Sequence, residues 1–141
     1  MDGSGNIYVV GSTSANGGDW FFAKYNAAGT LQWSQVQTYN SGGSQADEPT
    51  FIKLNATGTH LYICGYSYRG TGTGYDITFA KIDASNGNMV SGWPVFWTGS
   101  GAYIDEAHSM ALDGQSDIYI VGKTELSSNR YDALILKGFV A

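Results

Sequence analysis

A short apolar segment built around a tyrosine occurs three times along the chain. Residues 7–11 read IYVVG, residues 61–65 read LYICG and residues 118–122 read IYIVG. We identify this segment as a β-strand that closes on a glycine. The copies start 54 and 57 residues apart. Self-similarity at such a period predicts a repeat protein.

The tyrosine strand is one of four segments in each repeat, which we call a, b, c and d, with the tyrosine strand as b. Segment a follows an acidic pair, segment c begins at an aspartate and ends at a lysine, and segment d carries a tryptophan. Turns rich in Gly, Asn and Asp separate a from b and c from d, as is typical of hairpins. Segment a covers residues 49–54 and 107–112, segment c covers 19–24, 76–81 and 132–137, and segment d covers 31–33 and 90–93.

Segment c has two apolar faces. In the first copy Trp20 and Phe22 lie on one face of the strand, while Phe21, Ala23 and Tyr25 lie on the other. Such a strand belongs to a sheet that is covered on both sides. Because the turns are too short for crossover helices, the covering layers must be other sheets. The pattern therefore predicts antiparallel four-stranded sheets stacked face against face.

Radial repetition of such sheets gives a β-propeller, and we expect an all-β partial β-propeller of about three blades. The blades are predicted at residues 1–40 with segments b-c-d, 46–98 with a-b-c-d, and 104–141 with a-b-c. A ring typically needs about 4 to 8 blades to close. We therefore expect this chain to be a fragment of a longer propeller, with assembly of copies into a ring as the alternative.

The repeat resembles the bacterial β-propeller repeat family known as SBBP and is similar, more distantly, to kelch repeats. The resemblance rests on the acidic residue before segment a, the D-x-x-G-N-like turn, the I/L-Y-x-x-G strand, the D-x-x-x-A-K strand and the tryptophan segment. Kelch blades usually end segment b with a glycine doublet, whereas this chain has one glycine each time. The resemblance implies a binding scaffold that works outside the cell or at the cell surface.

Composition excludes several classes of function. The formal net charge of −5, with seven basic residues that are scattered along the chain, argues against a nucleic-acid partner. No apolar run approaches the roughly 20 residues of a membrane span. The single cysteine, Cys64, occupies a position held by valine in the sister repeats, so we interpret it as a buried hydrophobic residue. The sequence predicts no cofactor, no metal site and no catalytic constellation.

Antiparallel topology places the b-to-c and d-to-a connections at the same end of every blade, which we call the loop-rich end. The b-to-c connections, residues 12–18, 66–74 and 123–130, differ in length and composition. Because binding residues concentrate on loops held by a rigid scaffold, we expect a ligand site there. The rim residues that we predict to contact it are Trp20, Tyr66, Tyr68, Asp105, Glu106 and His108.

The recurring acidic residues at this end have two interpretations. They form an acidic rim that attracts a cation or a basic partner, or each aspartate accepts hydrogen bonds from backbone N–H groups of its own connection. Their recurrence in every repeat favours the second interpretation, because a structural device is used in each repeat. The residues are Asp47, Glu48, Asp105 and Glu106 before segment a, and Asp19, Asp76 and Asp132 at the start of segment c.

From these patterns we expect the protein to have a non-catalytic function. We expect a rigid, acidic scaffold that binds a protein or a glycan through its loop-rich end. One alternative is a propeller enzyme of the lyase or glycosidase type, with Asp105, Glu106 and His108 as its centre. The other alternative is a structural ring formed by self-association, which predicts a mass above the 15.1 kDa of one chain.

Overall fold

The described part of the protein consists of ten β-strands joined by turns and short connections. A computed structural model describes residues 1–14, 17–42, 45–70, 72, 74–99, 103–114 and 117–139. Of the predicted b-to-c loops, Ala15, Asn16, Thr71 and Thr73 lie outside the described residues. The strands are β1 Ile7–Ser12, β2 Trp20–Tyr25, β3 Gln37–Tyr39, β4 Asp47–Leu54, β5 His60–Gly70, β6 Gly74–Asp83, β7 Val95–Trp97, β8 Asp105–Leu112, β9 Asp117–Ser127 and β10 Arg130–Phe139.

These strands form three antiparallel sheets in chain order. The first sheet has the order β1-β2-β3, the second β4-β5-β6-β7 and the third β10-β9-β8. The tyrosine strand b is β1, β5 and β9, and segment c is β2, β6 and β10. The prediction of an all-β chain with antiparallel sheets is therefore confirmed. Within the described ranges, no helix has the length and apolar character needed to cross a membrane.

The second sheet lies between the other two, with both faces buried. Leu61 and Ile63 of β5 pack against Trp20 and Phe22 of the first sheet. Their neighbours Tyr62 and Cys64 point to the opposite face and pack against the third sheet. Alternation along one strand therefore feeds two separate hydrophobic cores. Face-to-face stacking of the sheets, as predicted from the two apolar faces of segment c, is confirmed.

The predicted position of segment d is wrong by several residues. The fourth strand of the second sheet is β7, which pairs Val95 with Phe79 and Trp97 with Ile77, and not residues 90–93. In the first sheet the corresponding strand is β3, and not residues 31–33. The first residues after each c-to-d turn make only isolated bridges, Tyr25 with Leu31 and Ile82 with Met89.

The tryptophan of segment d lies outside the ladder in both the first and the second sheet. The Trp33 indole Nε1 donates to the Ala84 carbonyl oxygen at 3.2 Å, and the ring is buried in the first core. Trp93 packs edge-on against Phe79, with ring centroids 5.1 Å apart. Pro94 follows it and has no N–H to donate to a ladder, which delays strand pairing further. Both tryptophans therefore pack into the cores between the sheets.

Cys64 is fully buried in the second core. Burial disfavours the thiolate and raises the pKa of the thiol to about 11. The interpretation of this residue as a small buried hydrophobic group is confirmed.

Candidate functional site

The topology brings the b-to-c loops and the d-to-a connections to one end of the sheets, as expected. Asp47 at the start of β4 pairs with Ser67 near the end of β5. Asp105 at the start of β8 likewise pairs with Thr124 near the end of β9. The loop-rich end is therefore a real feature of the described structure, and the predicted rim residues can be placed on it.

The two aspartates that open segment a are structural caps. Asp47 and Asp105 are each 1% exposed. Asp47 accepts hydrogen bonds from the Ser41 N–H and hydroxyl, both at 2.8 Å, and Asp105 accepts one from the Gly99 N–H at 2.7 Å. In both cases the donor lies six residues earlier, in the d-to-a connection. For these two residues the capping interpretation is confirmed, and Asp105 does not lie on an exposed rim.

Trp20 also lies elsewhere than predicted. Its side chain is 0% exposed and belongs to the core between the first and second sheets. The ring meets Tyr39 edge-on at a centroid distance of 5.4 Å. Its place at the start of segment c suggested a loop residue, but the side chain points along the interior face of β2. Trp20 is therefore a core residue.

Tyr66 and Tyr68 form an aromatic cluster with Tyr75, a residue that the sequence did not single out. Tyr75 of β6 meets both rings edge-on, with centroids 5.7 Å from Tyr66 and 5.4 Å from Tyr68. All three side chains are half-buried. Burial is the largest cause that raises the pKa of both Tyr66 and Tyr75. The second cause is the nearby carboxylate of Glu106 for Tyr66 and the neighbouring Tyr68 for Tyr75. These two phenols therefore stay neutral, and the cluster offers hydroxyl groups on an otherwise apolar platform.

Beside this cluster, an open groove of about 480 Å³ runs between the loop-rich ends of the first and second sheets. We call it the aromatic groove. One wall comes from the segment that follows β3, where the Asn40 amide donates to Asp19 at 2.6 Å and the Ser41 hydroxyl donates to the Asp47 carboxylate. The residues that line the groove are Tyr39, Asn40, Ser41, Gly42, Tyr68, Arg69, Gly70, Pro94 and Phe96.

Arg69 is the charged group of the aromatic groove. Its guanidinium carbon lies 3.6 Å from the centroid of the Phe96 ring, so the side chain is stacked and held in place. Among the described residues, no carboxylate forms an ion pair with it. Burial first, and then the charge of Asp47, raises the pKa of the neighbouring Tyr39 to about 12. The groove thus presents one oriented cation and two phenols, of which that of Tyr39 stays neutral.

Glu106 and His108 lie together, away from the aromatic groove. The Glu106 carboxylate is 3.2 Å from the Lys123 ammonium and 3.7 Å from the His108 imidazole. His108 sits where β8 bulges between Ala107 and Ser109, and its side chain is exposed. Asp105 is 1% exposed whereas His108 is exposed, so the structure does not bring the three residues considered as an enzyme centre together on one surface. Among the described residues, no group of three His, Cys, Asp or Glu side chains is arranged to hold a metal ion.

Sequence reasoning identified two of the tyrosines at the loop-rich end and missed the partners that complete the site. Arg69 follows Tyr68 directly in a predicted loop, so its position alone was enough to predict it as a rim residue. Tyr39 and Phe96 lie in strands β3 and β7, which the sequence placed several residues too early. Their contribution to the loop-rich end was therefore not visible in the pattern.

The resemblance to SBBP and kelch repeats rests on the repeated segments of this chain, and it remains a prediction. Three stacked antiparallel sheets are compatible with any protein family that has this architecture, so they do not distinguish one family from another. No protein-family model matches the chain, and no curated protein is significantly similar to it.

Proposed function

We propose that the protein is a non-catalytic interaction module, built from β-propeller blades, that binds an acidic glycan in the aromatic groove at its loop-rich end. The three stacked sheets would be consecutive blades, and the site would lie outside the cell or at its surface. The observation that carries the proposal is Arg69, an oriented cation without an ion pair in the described structure, set among partly exposed aromatic rings.

The chemistry of the groove favours a sugar ligand. Faces of sugar rings are apolar and pack on aromatic side chains, for which the partly exposed Tyr39 and Tyr68 are available beside the Phe96 ring that carries Arg69. Sugar hydroxyls need donors and acceptors in fixed positions, which Asn40 and the phenols can supply. A ligand carboxylate would form a charge-assisted, bidentate contact with the guanidinium of Arg69.

The proposal predicts that Arg69→Ala and Phe96→Ala weaken glycan binding by about tenfold or more, because each removes a contact at the centre of the groove. Labelled protein on an array of neutral and uronic-acid-containing glycans would find the ligand, and titration calorimetry would measure the affinities. Thr57→Ala, in the β4–β5 turn at the opposite end, is the matched control and should bind like the wild type.

The charge requirement is tested by Arg69→Lys. We expect binding to fall, because an ammonium cannot reproduce the planar bidentate contact, but to remain tighter than in Arg69→Ala. Equal affinity of the wild type and Arg69→Ala for every glycan bound would contradict the proposed site. Binding of only a protein from the same source, with glycans silent, would contradict the choice of a sugar ligand.

A further inference from the structure

The two interfaces inside the chain are built in the same way. In segment b the tyrosine points to one face of its sheet, and the aliphatic residues on either side of it point to the other face. In each interface, the face with the tyrosine in one sheet packs on the face with the aliphatic residues in the next sheet. We call these the tyrosine face and the aliphatic face. The first interface joins Tyr8, Val10, Trp20 and Phe22 to Leu61, Ile63, Ile52 and Leu54, and the second joins Tyr62, Cys64, Ile77 and Phe79 to Ile118, Ile120, Met110 and Leu112.

Among the described residues, no sheet packs on the tyrosine face of the third sheet. Its positions correspond to those that are buried or partly buried in the other two copies, and they carry Tyr119, Val121, Ala133 and Ile135. Ile135 is 73% exposed, whereas Phe22 and Phe79 at the same place in the repeat are 2% and 6% exposed. Val121 is 43% exposed. An apolar strip of this kind on a sheet face marks an interface.

The aliphatic face of the first sheet is likewise without a sheet packed on it in the described structure. Ile7 corresponds to the fully buried Leu61 and is 40% exposed. Val9 corresponds to the fully buried Ile63 and is half-exposed. The first sheet has no strand corresponding to β4 beside β1, so nothing in the described structure shields this face from that side. In the part of the chain that the structure describes, one tyrosine face and one aliphatic face therefore have no sheet packed on them.

We propose that the tyrosine face of the third sheet binds the aliphatic face of the first sheet of a second copy of this chain. The partner follows from the chain's own two interfaces, which show twice that these faces fit each other. Lys137 already lies 5.6 Å from the Tyr119 ring centroid, much as Lys24 lies 5.3 Å from that of Tyr8 in the formed interface. The contact joins unlike faces, so it propagates head to tail and gives a ring or an open chain of copies. It does not depend on the aromatic groove.

The test is the solution mass of variants in which one face at a time carries a charge. Ile135→Glu blocks the tyrosine face, and Ile7→Glu blocks the aliphatic face. By light scattering, the wild type should form assemblies above the 15.1 kDa of one chain, and each variant alone should be monomeric. Each substitution should weaken association by about tenfold or more, because it buries a charge without a partner. Ala56→Glu, in the exposed β4–β5 turn of the second sheet and outside both faces, should behave like the wild type.

Mixing the two variants decides between this contact and other forms of association. Each variant keeps one functional face, so the mixture should form a complex of exactly two chains and nothing larger. Monomers in the mixture would overturn the proposal, as would a wild type that stays monomeric at every concentration or association that persists in both single variants. Circular dichroism checks folding, and Val121→Glu replaces Ile135→Glu if that variant does not fold.

Discussion

Gly65→Ala should destabilise the protein by about 3 kcal/mol or more, at the upper end of the cost of overpacking. A Cβ atom at Gly65 would overlap the carbonyl oxygen of Glu48 and lie 2.8 Å from the Cα of Pro49. Both atoms belong to the backbone of β4, at the bulge between Pro49 and Phe51. Neither can move without breaking the ladder. Urea unfolding followed by circular dichroism would measure the loss.

The sister glycines provide the comparison. Gly122→Ala should cost about as much, because a Cβ there would overlap the Glu106 carbonyl oxygen at the corresponding bulge. Gly11→Ala should cost less, about 1 kcal/mol, since the nearest atoms are those of the Phe21 ring at 2.7 Å, and a side chain can turn aside. Equal effects at Gly11 and Gly65 would contradict the role assigned to the bulges.

Trp20→Ala should lower the free energy of unfolding by about 3–5 kcal/mol, the usual cost of deleting a large aromatic side chain from a core. The expectation follows from its complete burial between the first and second sheets. Thermal and urea unfolding of the purified variant measure the change. A protein of ordinary stability could be largely unfolded by this substitution. Trp20→Phe is therefore the milder companion, with an expected loss below that of Trp20→Ala.

Phe96→Ala is the matched control for Trp20→Ala. Phe96 is 37% exposed at the edge of the second sheet, so its removal should cost about 1 kcal/mol or less. A small effect at Trp20, comparable with that at Phe96, would place Trp20 back among the rim residues and contradict the described core. The same control shows that loss of glycan binding in Phe96→Ala is not a loss of the fold.

Much of the fold is readable from the sequence because its segments alternate with period two and repeat. The two apolar faces of segment c predicted sheets stacked face against face, and the second sheet is covered on both of its faces in this way. The prediction placed segment d too early along the chain, because hydrophobic residues indicate which side chains are buried and not which backbone groups pair in a ladder. Trp33 is buried as expected, but it is buried outside the ladder, over Ala84 of the next sheet.

The candidate site was less predictable, since it depends on where individual side chains point. Asp105 has the polarity of a rim residue, yet it turns inward to accept the Gly99 N–H. Position in a loop identified Tyr68, but the stacking of Arg69 on Phe96 joins residues that lie far apart along the chain. Contacts between the ends of different strands depend on strand bounds, which a repeat pattern defines only within a few residues.

The central claim is that the tyrosine face of each sheet packs on the aliphatic face of the next. Nuclear Overhauser contacts in isotope-labelled protein test it directly. The structure predicts contacts between the Trp33 indole and Gly87, whose backbone it approaches closely, and between Phe79 and the side chains of Ile118 and Ile120. Absence of both sets in the folded protein, or contacts of Ile118 with Leu61 in their place, would contradict this packing of the sheets.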